Sequence, residues 1–191
     1  MRKIFIIGFL AFDFVLFAVI AAILLQPNEF RVERSIVVNA PPSEVFAQVN
    51  DFHNWSAWSP WAKLDPSMMQ TYEGAPEGEG AVYFWSGNDD VGEGRMTILE
   101  SKPDNLVKIE LEFIKPWTAT NTAVFIFEPE AGQTRVSWAM YGENGFMAKA
   151  FQIFMDMDSM VGGDFEKGLA DLKATVEKAP AEQGQPSASE E

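Results

Sequence analysis

The residue types best suited to chemistry crowd into one short stretch. Asp51-Phe52-His53-Asn54 runs into Trp55-Ser56-Ala57-Trp58-Ser59-Pro60-Trp61, with Asp65-Pro66 just beyond. His53 is the only histidine of the chain. As a general base it needs a carboxylate partner, Asp51 or Asp65, and access to a bound substrate. A solitary loop histidine is more often a hydrogen-bonded surface group, so it is a weak catalytic candidate and no other is advanced. The three indoles Trp55, Trp58 and Trp61 either grip a flat or acyl ligand through their faces and N–H groups or seal one end of a sheet. With no cysteine present, disulfides, thiolate nucleophiles and thiolate metal sites are excluded. Asp156-Met157-Asp158 and Asp164 resemble a calcium loop, but Met160 and Val161 stand where a third ligand and a glycine belong, so no metal site is expected. Gly78-x-Gly80 and Gly92-x-Gly94 precede no helix that would present amides to a phosphate and read as turn glycines. Nothing in the chain points to a cofactor.

These residues must be positioned by an antiparallel sheet. Phe30–Asn39 alternates, with Val32, Ile36 and Val38 on one face, and Ala40-Pro41-Pro42-Ser43-Glu44 opens a short helix with the stripe Val45, Phe46, Val49. Six further strands are predicted at Met68–Glu73, Gly80–Ser86, Glu93–Ser101, Leu106–Ile114, Thr120–Glu128 and Thr134–Tyr141. The intervening turns are too short for crossover helices, so neighbours run antiparallel. Val107, Ile109, Leu111 and Phe113 oppose Lys108, Glu110 and Glu112, and Val136, Trp138 and Met140 share a face: a sheet with one wet side. A long helix is predicted from Phe146 to Glu177, bent at Gly162-Gly163, on the stripe Met147, Phe151, Phe154, Val161, Phe165, Leu169, Leu172, Val176. The expected fold is α+β: a curved seven-stranded antiparallel sheet wrapped around a long C-terminal helix.

Ahead of this domain, Ile4–Leu25 is apolar but for Asp13, is entered from Arg2-Lys3 and ends before Pro27. As a helix those 22 residues reach about 33 Å, enough for a bilayer core. A cleaved signal peptide has a shorter apolar region and a small-x-small exit, which Val19-x-Ala21 only poorly supplies; the length favours an uncleaved transmembrane anchor. The positive-inside rule then places the C-terminal domain outside the cytoplasm, on a single-pass protein of the cell membrane, periplasmic in a Gram-negative cell. The domains expected are a 1–27 anchor, a 28–178 folded domain and a 179–191 tail, where Pro, Gln, Ser and Glu dominate. The formal charge is −14; residues 1–25 carry a net +1, leaving −15 on the rest. That argues against nucleic acid as a partner and against electrostatic docking on anionic lipid, so no nucleic acid is expected. Protein partners are not legible.

Val38-x-Ala40-Pro41-x-x-x-Val45-Phe46, Val49-Asn50-Asp51-Phe52, Trp55-x-x-Trp58-Ser59-Pro60-Trp61 and Met157-Asp158-x-Met160-Val161-Gly162-x-Asp164-Phe165-Glu166-x-Gly168-Leu169-x-x-Leu172 bracket nearly the whole domain. In these stretches it resembles the SRPBCC (START-like, helix-grip) superfamily, and within it the polyketide cyclase/dehydrase-like proteins that carry an N-terminal span. The resemblance implies a cavity between sheet and terminal helix for lipids, polyketides or other apolar molecules, in carriers and enzymes alike. The expected lining is Trp58 and Trp61 from the indole cluster, Trp85, Phe113, Trp138 and Met140 from the strands, and Phe151, Phe154, Met155 and Phe165 from the helix.

The leading expectation is therefore a membrane-anchored, non-catalytic binding domain for a small apolar or amphipathic ligand. The alternative is a cyclase or dehydratase in which His53, Tyr83, Tyr141 or an inward carboxylate moves protons. A third is an interaction module with a filled core. Polar groups converging in the cavity favour the enzyme, and a dry Phe/Met/Trp lining favours the carrier.

Overall fold

The computed structural model describes residues 2–153 and 156–182, with side chains described from 13 to 178 apart from 154, 155 and 157. The elements in order are α1 (Arg2–Leu24), β1 (Glu29–Val38), α2 (Pro42–Asn50), α3 (Trp55–Trp58), β2 (Met69–Gly74), β3 (Ala81–Ser86), β4 (Glu93–Lys102), β5 (Leu106–Lys115), β6 (Ala119–Glu130), β7 (Gln133–Glu143), α4 (Phe146–Gln152) and α5 (Met157–Glu182). Short 3₁₀ turns at Phe52–Asn54 and Pro60–Lys63 flank α3. The fold is α+β, as the alternation predicts, and each strand falls within a residue or two of its expected bounds.

The strands make one antiparallel, curved sheet in the order β1-β7-β6-β5-β4-β3-β2. Chain order and sheet order agree except for β1, which closes beside β7. Register shifts in the β4–β5 pair at Glu93/Gly94 and Ile98/Glu100 bend the sheet, since an extra residue on one strand kinks it. On the concave side, Val32, Val38, Val107, Ile109, Phe125, Phe127 and Val136 are buried under Val45, Val49, Leu169, Leu172 and Val176 of the helices.

α5 packs chiefly against β1, α3 and α2, along one side of the sheet. Its docking is fixed at both ends. Near its start, Arg34 reaches Asp158 at 2.9 Å and Glu166 at 2.8 Å; near its end, Lys173 donates to the Val37 carbonyl and Glu177 accepts from the Asn39 amide, each at 2.7 Å. Gly162 lies inside α5, which continues through it without interruption. A Cβ at 162 would collide with the Arg34 guanidinium, so the glycine makes room for the ion pairs. The break in the expected single helix comes earlier, between α4 and α5. There the Asp156 carboxylate accepts from the Asp158 amide at 3.1 Å and the Ser159 hydroxyl at 2.6 Å, starting a new helix as capping side chains do. Two of the acids that resemble a calcium loop thus serve as a cap and an ion-pair partner.

The Asp158 carboxyl is held below its ordinary range by hydrogen bonds from Arg34, and that of Asp65 by the Ser67 hydroxyl and the Asn88 amide. A carboxyl depressed in the folded state contributes stability that is fully present above its unfolded value, about 3.9, and lost as pH falls through the folded value. Asp158→Asn is therefore expected to lower the urea midpoint at pH 6 and to converge with the parent protein as the pH falls below the ordinary carboxylate range. A constant difference across that range would rule out this origin.

α1 spans 23 residues and stands away from the sheet, with Phe14 to Ile20 exposed on every side of the helix. Among the described residues no helix is long and apolar enough to cross a membrane. The side chains of residues 1–12, the first part of the apolar run, lie outside the described residues. At the other terminus α5 continues to Glu182.

Candidate functional site

Much of the space expected to be a cavity between sheet and terminal helix is filled by rings. Trp138 lies 3% exposed, stacked on Phe165 (centroids 4.0 Å apart, 7° between planes) and on Phe125 (4.8 Å, 27°). Trp58 and Trp61 meet its edge at 5.8 Å each. The indole N–H groups of Trp55 and Trp58 donate to the Val49 and Gln48 carbonyls at 2.9 and 3.2 Å, so they tie the cluster to α2 and are not free for a ligand. On α5, Gly168 admits Trp138 and Pro60, which a Cβ would strike. Of the expected lining residues, Trp58, Trp61, Trp138 and Phe165 thus form one packed aromatic block, with the sealing role open to the cluster from the start. The physical reason is ring complementarity: face-to-face and edge-to-face contacts bring these rings together.

Phe151 takes a different place. It is exposed on α4 and pairs with Trp117 of the β5–β6 turn at 5.4 Å. Phe154 and Met155 lie outside the described residues.

The remaining expected residues, Trp85, Phe113 and Met140, converge on the other half of the concave face. Because α5 follows β1, the ends of β3, β4 and β5 nearest the β5–β6 turn stay partly uncovered. Tyr83, Trp85, Leu111 and Phe113 are half-buried there, beside the buried Met96 and Met140. Tyr83 and Trp85 stack at 6.1 Å, and Phe113 stands edge-on to Trp85 at 6.1 Å, together making a half-exposed aromatic face, called the trough below. Gly94, expected in a turn, lies within β4 opposite Phe113 in the ladder. A Cβ there would collide with the Trp85 ring and the Glu112 carbonyl, so this glycine lets the indole lie flat across the strand. The Trp85 N–H donates to the Val91 carbonyl at 3.0 Å, fixing the ring's tilt. No periodicity argument marked Gly94; the register alone does.

The polar groups of this face are few. Burial, and to a smaller extent Tyr72, push the Tyr83 phenol upward, so it stays protonated. Asn121 adds a half-buried amide near the mouth. His53 sits at the far end of the same aromatic row, stacked on Tyr72 at 4.1 Å, with Tyr72 and Tyr83 5.4 Å apart. Its Nδ1 is 2.7 Å from Asp51 Oδ1, and its ring is largely exposed. Asp65, its other possible partner, is committed to Ser67 and Asn88. An open depression of about 410 Å³ at the β1–β7 edge, lined by Glu29, Phe30, Arg31 and Tyr141, is separate from the trough and carries an Arg31–Glu33 ion pair at its rim.

Residues 29–177 match the family described as polyketide cyclase / dehydrase and lipid transport. Among solved structures the chain is similar to protein CV1439 from Chromobacterium violaceum, at a TM-score of 0.56 and 16% identity over 80% of this chain and 99% of that one. It is similar also to protein Ms6760 from Mycobacterium smegmatis, at 0.53 and 16% over 78% and 92%. A third likeness is to DynU16, a protein of the dynemicin biosynthetic locus, at 0.54 and 14% over 78% and 48%. At such identities the likeness is one of fold. No curated protein matches the sequence. The matched segment takes in the whole sheet, the aromatic trough and most of α5, and the chain belongs to the polyketide cyclase/dehydrase and lipid transport family of the SRPBCC superfamily.

Proposed function

We propose that this protein is a membrane-anchored binding domain for a small apolar or amphipathic ligand, held outside the cytoplasm by its N-terminal helix. The observation that carries the ligand reading is the trough of Tyr83, Trp85, Leu111 and Phe113, apolar side chains left half-exposed on the inner face of an otherwise packed grip. Large apolar groups on a concave surface are the usual lining of a small-molecule site. The Tyr83 hydroxyl and the Asn121 amide orient a polar end of the guest and supply no base, which favours a carrier over a cyclase or dehydratase. The anchor reading is supported by the apolar run Ile4–Leu25, by a helix of 23 residues, and by exposed apolar side chains all round its described part. A helix apolar on every face belongs in a core or a membrane.

The test is saturable binding of an apolar fluorophore to the detergent-solubilised full chain, read by quenching of indole emission. Phe113→Lys places a charge at the mouth, where the half-exposed side chain is tolerated by the fold. It is expected to weaken binding at least about tenfold, the equivalent of about 1.4 kcal/mol, while the far-ultraviolet spectrum is unchanged. Unaltered binding in that variant would remove the trough as the site.

A further inference from the structure

We infer that the domain does not hang free below its anchor but rests on the bilayer through an apolar base made by α4 and the β5–β6 turn. This rests on the anchor reading above. The antiparallel ladders put the first residue of β1, the last of β7 and the β5–β6 turn at one end of the sheet, since Glu29 pairs with Glu143 and Phe113 with Ala119. That end is where α1 enters.

Around the entry point the surface is apolar and held in place. Trp117 is 64% exposed, Met147 59%, and Phe146, Phe151, Ile114 and Ile153 are exposed with them. α4 packs against α1. The linker between them is fastened: Asn144 donates to the Pro27 carbonyl at 3.1 Å, its backbone amide donates to the Asn28 carbonyl at 2.7 Å, and the buried Lys149 ammonium donates to Asn28 Oδ1. The Trp117–Phe151 pair joins the turn to α4. The patch is therefore a rigid extension of the anchor's exit.

Charge separates a lipid from other occupants. The chain holds 28 acidic residues, yet none falls between 144 and 155 and none between 113 and 127. Within α4 and the β5–β6 turn the surface is apolar and free of acids, the exposed Glu29 and Glu143 lying beside it at the strand ends. An apolar patch with an exposed tryptophan matches the headgroup boundary, where amphipathic helices lie about 5–10 Å deep and Trp is enriched. Because α1 confines the patch to the membrane surface, weak burial suffices; the docking is apolar and insensitive to salt. It also sets the trough mouth, one strand from the β5–β6 turn, against the lipid, so the guest is a membrane-partitioned amphiphile that enters without crossing water.

The absence of cysteine allows a clean labelling test on the full chain in phosphatidylcholine vesicles. An environment-sensitive fluorophore is placed on Trp117→Cys, Met147→Cys, Phe17→Cys as the anchor control and Asn105→Cys at the opposite end of the sheet. Quenching by lipids spin-labelled near the headgroup is then read for each. Positions 117 and 147 are expected to be shifted to the blue and quenched, with 105 neither, at low and high salt alike. Labels at 117 and 147 that stay in water while 17 is shielded would overturn the docking and spare the anchor. Position 17 in water would overturn both. Shielding at 147 in native membranes but not in pure lipid would assign the patch to a protein partner instead.

Discussion

Trp138→Ala is expected to cost about 3–5 kcal/mol, the range for removing a large ring from a packed core. The ring is sandwiched between Phe125 and Phe165 and edged by Trp55, Trp58 and Trp61, so its loss strands five aromatic neighbours at once. Each such pair contributes about 0.5–1.5 kcal/mol beyond area burial. Against a total of about 5–15 kcal/mol for a domain, this one truncation leaves the grip marginal. Trp138→Phe is expected to be much milder, because the buried indole N–H has no hydrogen-bond partner among the described residues and its removal leaves no group stranded. Chemical denaturation of the two variants checks both statements. A cost below about 1 kcal/mol for the alanine variant would mean that the rings enclose a void after all.

Gly94→Ala is expected to act on stability and on binding together. The added methyl meets the Trp85 ring on one side and the Glu112 carbonyl on the other, and only the ring can yield. Overpacking of this kind costs about 1–3 kcal/mol. To relieve it, the indole must leave the strand surface and surrender its hydrogen bond to the Val91 carbonyl, which rebuilds the trough wall. Fluorophore affinity should then fall about tenfold, as for a loss of about 1.4 kcal/mol. Lower stability with unchanged affinity would show that Trp85 is no part of the site. A change in neither would mean that the strand shifts to accept the methyl.

The strands were legible because alternation is a local property. Val107, Ile109, Leu111 and Phe113 must share a face whatever surrounds them, and turns as short as Pro103-Asp104-Asn105 leave neighbours no choice but to run antiparallel. The terminal helical stripe was legible for the same reason, at period 3.6. Its break was not. Gly162-Gly163 carries the stronger local signal for a break, yet the helix continues through it, and the glycine at 162 makes room for the Arg34 guanidinium, far off in sequence. The cap formed by Asp156 was visible only as an acidic cluster.

The sequence by itself determined which side chains face inward, how many strands there are and that an apolar segment precedes them. Only the tertiary structure decided how deep each inward ring lies. Trp138 and Phe113 share one apolar face and read alike in sequence; one ends in a solid block and the other at an open mouth. The difference comes from the path of α5, which the Arg34, Lys173 and Glu177 contacts hold along β1. Periodicity assigns a face, whereas depth depends on where a second element lies across it. That is a long-range outcome of ion pairs and missing Cβ atoms, with no local pattern to read.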